Sequence, residues 1–137
     1  MTKETKQMSA IILLTVPTII YGGNFLLGLL SGDYQELALT PFQLAMFRAG
    51  HAHAGVLVML ALVVQLFIEH SSLKGKMAWS VRAGFPLAAI LVSGGFFAAA
   101  AGEGRTEPNA FIAILYAGML VLTVSLVLLG IGLLRDK

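Results

Sequence analysis

PFQLAMFRAGHAHAGVLVMLALVVQLFIE, residues 41–69, decides what kind of protein this is. Its apolar residues run for longer than the roughly 20 that cross the hydrocarbon core of a bilayer as helix. Inside the run stand an arginine, Arg48, and two of the chain's three histidines, His51 and His53. A surface helix of a soluble domain has an apolar stripe and a charged face. This stretch has neither, so it reads as a membrane span with polar residues built into it. Its length predicts that it tilts or protrudes.

The rest of the chain agrees. Of 137 residues, 58% are hydrophobic and 12% charged, against about 25% charged in ordinary globular domains. The mean hydropathy is +0.87. A soluble chain of this length has too little interior to hide so much apolar surface. The net charge of +2 comes from few basic residues, placed at the ends of apolar segments, so no nucleic-acid partner is expected. There is no cysteine, which excludes disulfides, Cys-ligated zinc and thiolate-bound clusters. No Ser-His-Asp arrangement, phosphate loop or buried carboxylate pair is visible, so classical enzyme chemistry finds little support, while a metal site shared between two protomers stays open.

Helices are predicted over about 9–30, 41–69, 79–101 and 110–134, each long enough to span. SGDYQELALTP, HSSLKGKMA and GEGRTEPN are short connections rich in Gly, Pro, Ser and Asn. The start resembles a signal peptide, but its apolar run continues to Leu30 without a small-x-small cleavage pattern, so it is retained as helix. The fold class is an all-α integral membrane four-helix bundle, residues 1–137 forming one transmembrane domain. Lys3, Lys6, Lys74, Lys76, Arg82, Arg135 and Lys137 fall at the N-terminus, the second connection and the C-terminus. The positive-inside rule then makes both termini cytoplasmic, with Trp79 and Tyr34 as interfacial anchors. Gly94, Ala98 and Gly102 have the spacing of a helix-packing surface. Pro17 and Pro86 are expected to kink their helices mildly.

Depth then follows from the rise per residue. Arg48 lies about 10 Å below the outer face, His51 about 15 Å and His53 about 18 Å. Tyr116 and Asn24 each lie about 9 Å down, and Met119 and Tyr21 about 14 Å. Ser93 sits in the outer half of the third segment. These residues share one slab of membrane, whereas the inner half is nearly pure Leu, Val, Ile and Ala, apart from Gln65, Thr123 and Ser125. An arginine near mid-helix costs a few kcal/mol in lipid, so Arg48 should face the bundle or a protomer interface. Asp33 or Glu36 is a candidate partner, and Tyr21, Asn24, Ser93 and Tyr116 are candidates for a supporting polar network.

Residues two apart on a helix differ by about 200°. His51 and His53 therefore face opposite ways and do not clamp one metal ion. One stripe holds Arg48, His51, Gly55 and Leu62; the other holds Met46, Gly50, His53, Leu57 and Leu60. The spacing suits two sites, or one ligand with one hydrogen-bonding partner. Histidine supplies haem iron with an axial nitrogen, and an arginine nearby neutralises a propionate. Met119 lies within about 4 Å of the depth of His53, so a His/Met axial pair is open. The cofactor readings are haem b, or copper or zinc, or none, with the histidines then tying helices together.

FRAGHAHAGVLVMLALV, with LLTVPTIIYGG upstream and Pro108–Asn109 opening the fourth segment, resembles a family of small bacterial four-helix membrane proteins that carry RAGHAHAG. The resemblance runs the whole chain. It implies a multi-pass protein of the bacterial inner membrane and brings no activity with it. The AHAHAGVL helix alone is similar to histidine-bearing helices of the haem-copper oxidase and nitric oxide reductase superfamily. There a His-x-His pair places haems on opposite faces of one helix. The further histidine ligands are lacking here, since His70 lies at the far end, so no full oxidase site forms in one protomer.

Three functions fit. The first is a haem- or metal-binding, redox-linked membrane protein, with a homo-oligomer, preferably a dimer, pairing equivalent histidines. The second is a small transporter or an ion- or proton-handling oligomer lined by Arg48, His51 and His53. The third is a non-catalytic accessory subunit of a larger membrane complex.

Overall fold

Thr2 opens the first helix, its hydroxyl accepting the Thr5 N–H at 3.2 Å, and Glu4 adds a negative charge to the first turn, where the helix dipole favours it. This computed structural model describes residues 1–135. Its first helix, α1, runs Lys3–Ser31, starting a turn and a half before the apolar run that announces it. Gly32 ends it at φ 86°, a left-handed position suited to glycine.

Helix α2, Pro41–His70, has a full capping box. The Thr40 hydroxyl accepts the Gln43 N–H at 3.1 Å, and the Gln43 side chain accepts the Thr40 N–H at 3.2 Å. Helix α3 is Gly75–Ala99 and α4 is Ile112–Leu134. All four helices are long and apolar enough to cross a membrane, which makes this a multi-pass architecture.

The connections are tied down by side chains. Gln43 Nε2 donates to the carbonyls of Ala100 (3.0 Å) and Gly102 (2.7 Å), fixing the start of α2 to the end of α3. Asn109 Nδ2 donates to the carbonyls of Ala98 (2.8 Å) and Ala101 (3.1 Å). Asn109, which opens the fourth segment, thus satisfies terminal carbonyls of α3 at Ala98 and, through its N–H, at Ala99. At the opposite end, the Thr2 N–H donates to Glu69 at 2.6 Å and the Ser72 N–H to the Gly132 carbonyl at 2.8 Å. The N-terminus, the α2–α3 connection and the end of α4 therefore share one end, here called the basic end.

The helices pack unequally. α3 is the hub, lying along both α2 and α4, while α1 rests mainly on α2 and scarcely reaches α3. The α3–α4 contact is backbone-close. A Cβ on Gly95 would lie 2.5 Å from the Leu115 nitrogen, and one on Gly118 2.7 Å from the Val92 nitrogen. Small residues permit this approach, which drives helix association where lipid competes for apolar contact. Beside it, Ile12, Ala61, Val64, Ile68, Val81, Phe85 and Leu129 form the main apolar cluster.

Two expectations are corrected. The third helix begins at Gly75 rather than residue 79, because the charged residues before Trp79 continue the helical ladder. Arg82 is consequently two turns inside the helix and buried at 5% exposure, not a loop charge. The Gly94, Ala98, Gly102 packing surface does not form. The helix ends at Ala99, Gly102 sits in the connection at φ 116°, and Gly94 faces open space. Gly95, one position along, carries the packing.

Candidate functional site

The two histidines of α2 do face different neighbours. His51 is half-buried against α1, where a Cβ on Gly23 would lie 3.2 Å from the ring Cε1 and Nε2. The glycine pair Gly22–Gly23 is what lets α1 approach that ring. His53 is exposed on the other side, its ring 4.9 Å from that of Phe96 on α3. His53 Nδ1 lies 2.7 Å from the Ala49 carbonyl oxygen. A carbonyl only accepts, so Nδ1 carries the proton and donates, and Nε2 of the neutral ring keeps a free lone pair. The stripe below His53 is as expected: Gly50 meets Phe96 and Phe97, and Leu57 packs with Ala89 and Val92.

The remaining slab residues are placed outward. Arg48 is exposed and forms no ion pair among the described residues, with Asp33, Glu36 or any other carboxylate. Asp33 instead accepts the Ser31 hydroxyl at 2.9 Å. Tyr21 is 75% exposed and Tyr116 62%; Asn24 is exposed as well. No hydrogen bond links these three to Arg48, His51 or His53 among the described residues, so the supporting network does not form within one chain. The reason is architectural. α1 and α4 flank the α2–α3 pair without closing on each other, and their polar residues stay on the outside. Met119 is half exposed on α4, which meets α2 only briefly. Ser93 is the one slab residue that turns inward: it is buried, and its Oγ has no hydrogen-bond partner.

Among the described residues, no three His, Cys, Asp or Glu side chains converge as a metal site. A structural zinc needs four ligands and a catalytic one three. An axial haem nitrogen needs only one histidine per protomer. The donor set thus fits haem better than a single-chain zinc centre.

The buried polar cluster lies elsewhere, in the half read as nearly pure apolar apart from Gln65, Thr123 and Ser125. Arg82 Nη1 donates to the Thr5 hydroxyl (2.9 Å), to Gln65 Oε1 (3.2 Å) and to the Gln65 carbonyl (3.4 Å). Gln65 Nε2 donates to the carbonyls of Ala61 (3.0 Å) and Arg82 (3.3 Å). The Arg82 carbonyl is the one whose helical donor is missing, because residue 86 is proline. Gln65 of α2 supplies that donor from across the interface, and Thr5 joins α1 to the same knot. The signal is present in the sequence: Gln65 in the apolar second half of one helix, and Arg-x-x-x-Pro in the next. It is masked because Arg82 follows Lys74 and Lys76 and so has the pattern of a membrane-flanking cation. This cluster ties three helices and has the character of a structural lock.

Comparison with protein-family models, with curated proteins and with solved structures finds no match in any of the three.

Proposed function

We propose that this chain is a membrane-embedded, redox-linked haem- or metal-binding protein whose site is completed by self-association. His53 is the ligand. The observation that carries this is its hydrogen bond: with Nδ1–H held by the Ala49 carbonyl, Nε2 of this exposed residue keeps a free lone pair. Metal-bound histidines are commonly anchored in this way through the other ring nitrogen. His51, by contrast, is wedged against the α1 backbone, which leaves little room for a flat cofactor on that face.

Arg48 supports the same reading. An unpaired guanidinium facing lipid is costly, and a propionate or a partner protomer relieves that cost. A dimer pairing two copies of His53 gives a bis-His haem b site; copper or zinc is the alternative occupant. The positive-inside rule places both termini in the cytoplasm and this slab in the outer half of a bacterial inner membrane.

The test is the visible spectrum of protein purified in mild detergent from haem-replete cells, with elemental analysis for iron, copper and zinc. A Soret band that His53→Ala abolishes and His51→Ala spares is expected. A stoichiometric metal without that band would transfer the site to copper or zinc. A colourless, metal-free, folded protein would refute the proposal.

A second reading has its own observation. Arg48, Tyr21, Asn24 and Tyr116 lie exposed on three helices, polar groups that a different membrane protein would also cover. Cross-linking in native membranes separates this accessory role from self-association.

A further inference from the structure

We propose that the cleft between α1, α2 and α3 binds a lipid-soluble compound that has a ring-sized apolar body and a carbonyl group, held by the Ser93 hydroxyl. This site stands independently of the haem reading.

The cleft has a volume of about 230 Å³. An apolar cavity of about 150 Å³ is known to take up benzene. Ile12, Ile19, Val58, Pro86, Ala89 and Ile90 supply its apolar walls. It exists because α1 leans on α2 and leaves a gap beside α3. Ile11 and Ile90 at its rim are exposed, so it opens sideways, toward lipid rather than toward either aqueous face.

Three hydroxyls reach the wall, and they are not equivalent. Thr15 donates to the Ile12 carbonyl at 2.6 Å and Thr18 to the Thr15 carbonyl at 2.7 Å. Both protons are engaged on their own helix. Ser93 is 7% exposed and its Oγ has no partner. A helical serine ordinarily bonds back to a carbonyl of the preceding turn, and this one does not. A buried hydroxyl proton without an acceptor is destabilising. Water is a poor remedy, because an ordered water needs two to four polar partners and, beside Ser93, the cleft offers it the Thr15 and Thr18 hydroxyls alone, whose protons are already engaged. A carbonyl on an apolar body satisfies the hydroxyl and fills the cleft together. The occupant therefore partitions from the bilayer and presents an acceptor to α3.

Benzophenone is the probe, since it has this chemistry and photolabels nearby C–H bonds. The purified protein in lipid nanodiscs is irradiated with it, and the labelled residues are mapped by mass spectrometry. Labelling is expected on cleft residues such as Val58 and Ile90, with acetophenone competing. Ser93→Ala should raise the half-saturating concentration about three- to tenfold, the worth of one hydrogen bond. Diphenylmethane, which lacks the carbonyl, should compete more weakly than benzophenone by a similar factor. Ala54→Leu, which narrows the cleft from α2, should abolish labelling with helicity and thermal stability unchanged. Labels scattered along the lipid face of α4 would overturn the proposal. Labelling indifferent to Ser93→Ala, or diphenylmethane competing as well as benzophenone, would do the same.

Discussion

Replacing Gln65 by leucine tests the lock at the basic end. Leucine matches glutamine in size, so the helices can stay where they are while three polar contacts disappear. Arg82 loses the 3.2 Å acceptor Oε1, and its carbonyl loses the 3.3 Å donor Nε2. The Ala61 carbonyl also loses a donor but keeps its own helical partner. Hydrogen bonds between membrane helices average about 0.6 kcal/mol, with a maximum near 1.7. Those to a charged group, and carbonyls left unpaired, lie at the upper end, about 1–3 kcal/mol. The expected loss is about 2–3 kcal/mol.

The decisive part is a cycle with Pro86→Ala. Alanine restores an N–H four residues after Arg82, so the carbonyl regains its helical donor. In the unmodified background that donor is redundant, because Gln65 already serves. With Gln65→Leu it is needed. Pro86→Ala should therefore stabilise the Gln65→Leu protein by about 1 kcal/mol more than it stabilises the parent. The assay is equilibrium unfolding in mixed micelles with increasing dodecyl sulfate. Far-UV circular dichroism and the fluorescence of Trp79, the chain's one tryptophan, report it. Distant sites add within about 0.5 kcal/mol. A coupling inside that margin would refute the idea that Gln65 substitutes for the helical donor that Pro86 lacks.

Adjacent glycines should behave oppositely. Gly95→Leu should cost about 3 kcal/mol or more, since a Cβ there meets Leu115 backbone 2.5 Å away. Gly94→Ala has open space and should be neutral or stabilising by up to about 1 kcal/mol through helix propensity; the same micelle titration reads both. Ser93→Ala, without ligand, should leave stability unchanged or raise it by about 1 kcal/mol, because it deletes an unsatisfied buried hydroxyl; a loss above 1 kcal/mol would show that the hydroxyl has a partner. Arg48→Leu should leave the fold intact by circular dichroism yet lower the fraction of cross-linked dimer in membranes, and an undiminished dimer would remove Arg48 from the interface.

The four helices were legible because length and apolar run suffice where the solvent is hydrocarbon. The start of α2 at Pro41 is held by the Thr40–Gln43 capping box, which is local. The opposite facing of His51 and His53 is equally local, since a helix turns 100° per residue whatever surrounds it. Which of the slab residues meet was not legible. Shared depth is one coordinate, and meeting also requires the rotation of each helix about its axis and the choice of neighbours. Those are set by the backbone-close α3–α4 contact at Gly95 and Gly118 and by α1 leaning on α2. They leave Tyr21, Asn24 and Tyr116 outside and turn Ser93 into a cleft. Arg82 shows the same limit from the other side. The residue pattern marked it as a membrane-flanking cation, and only the packing of α1, α2 and α3 made it a buried one. Hydrocarbon compatibility is a property of each segment by itself, whereas polar satisfaction is a property of the surfaces that segments bring together.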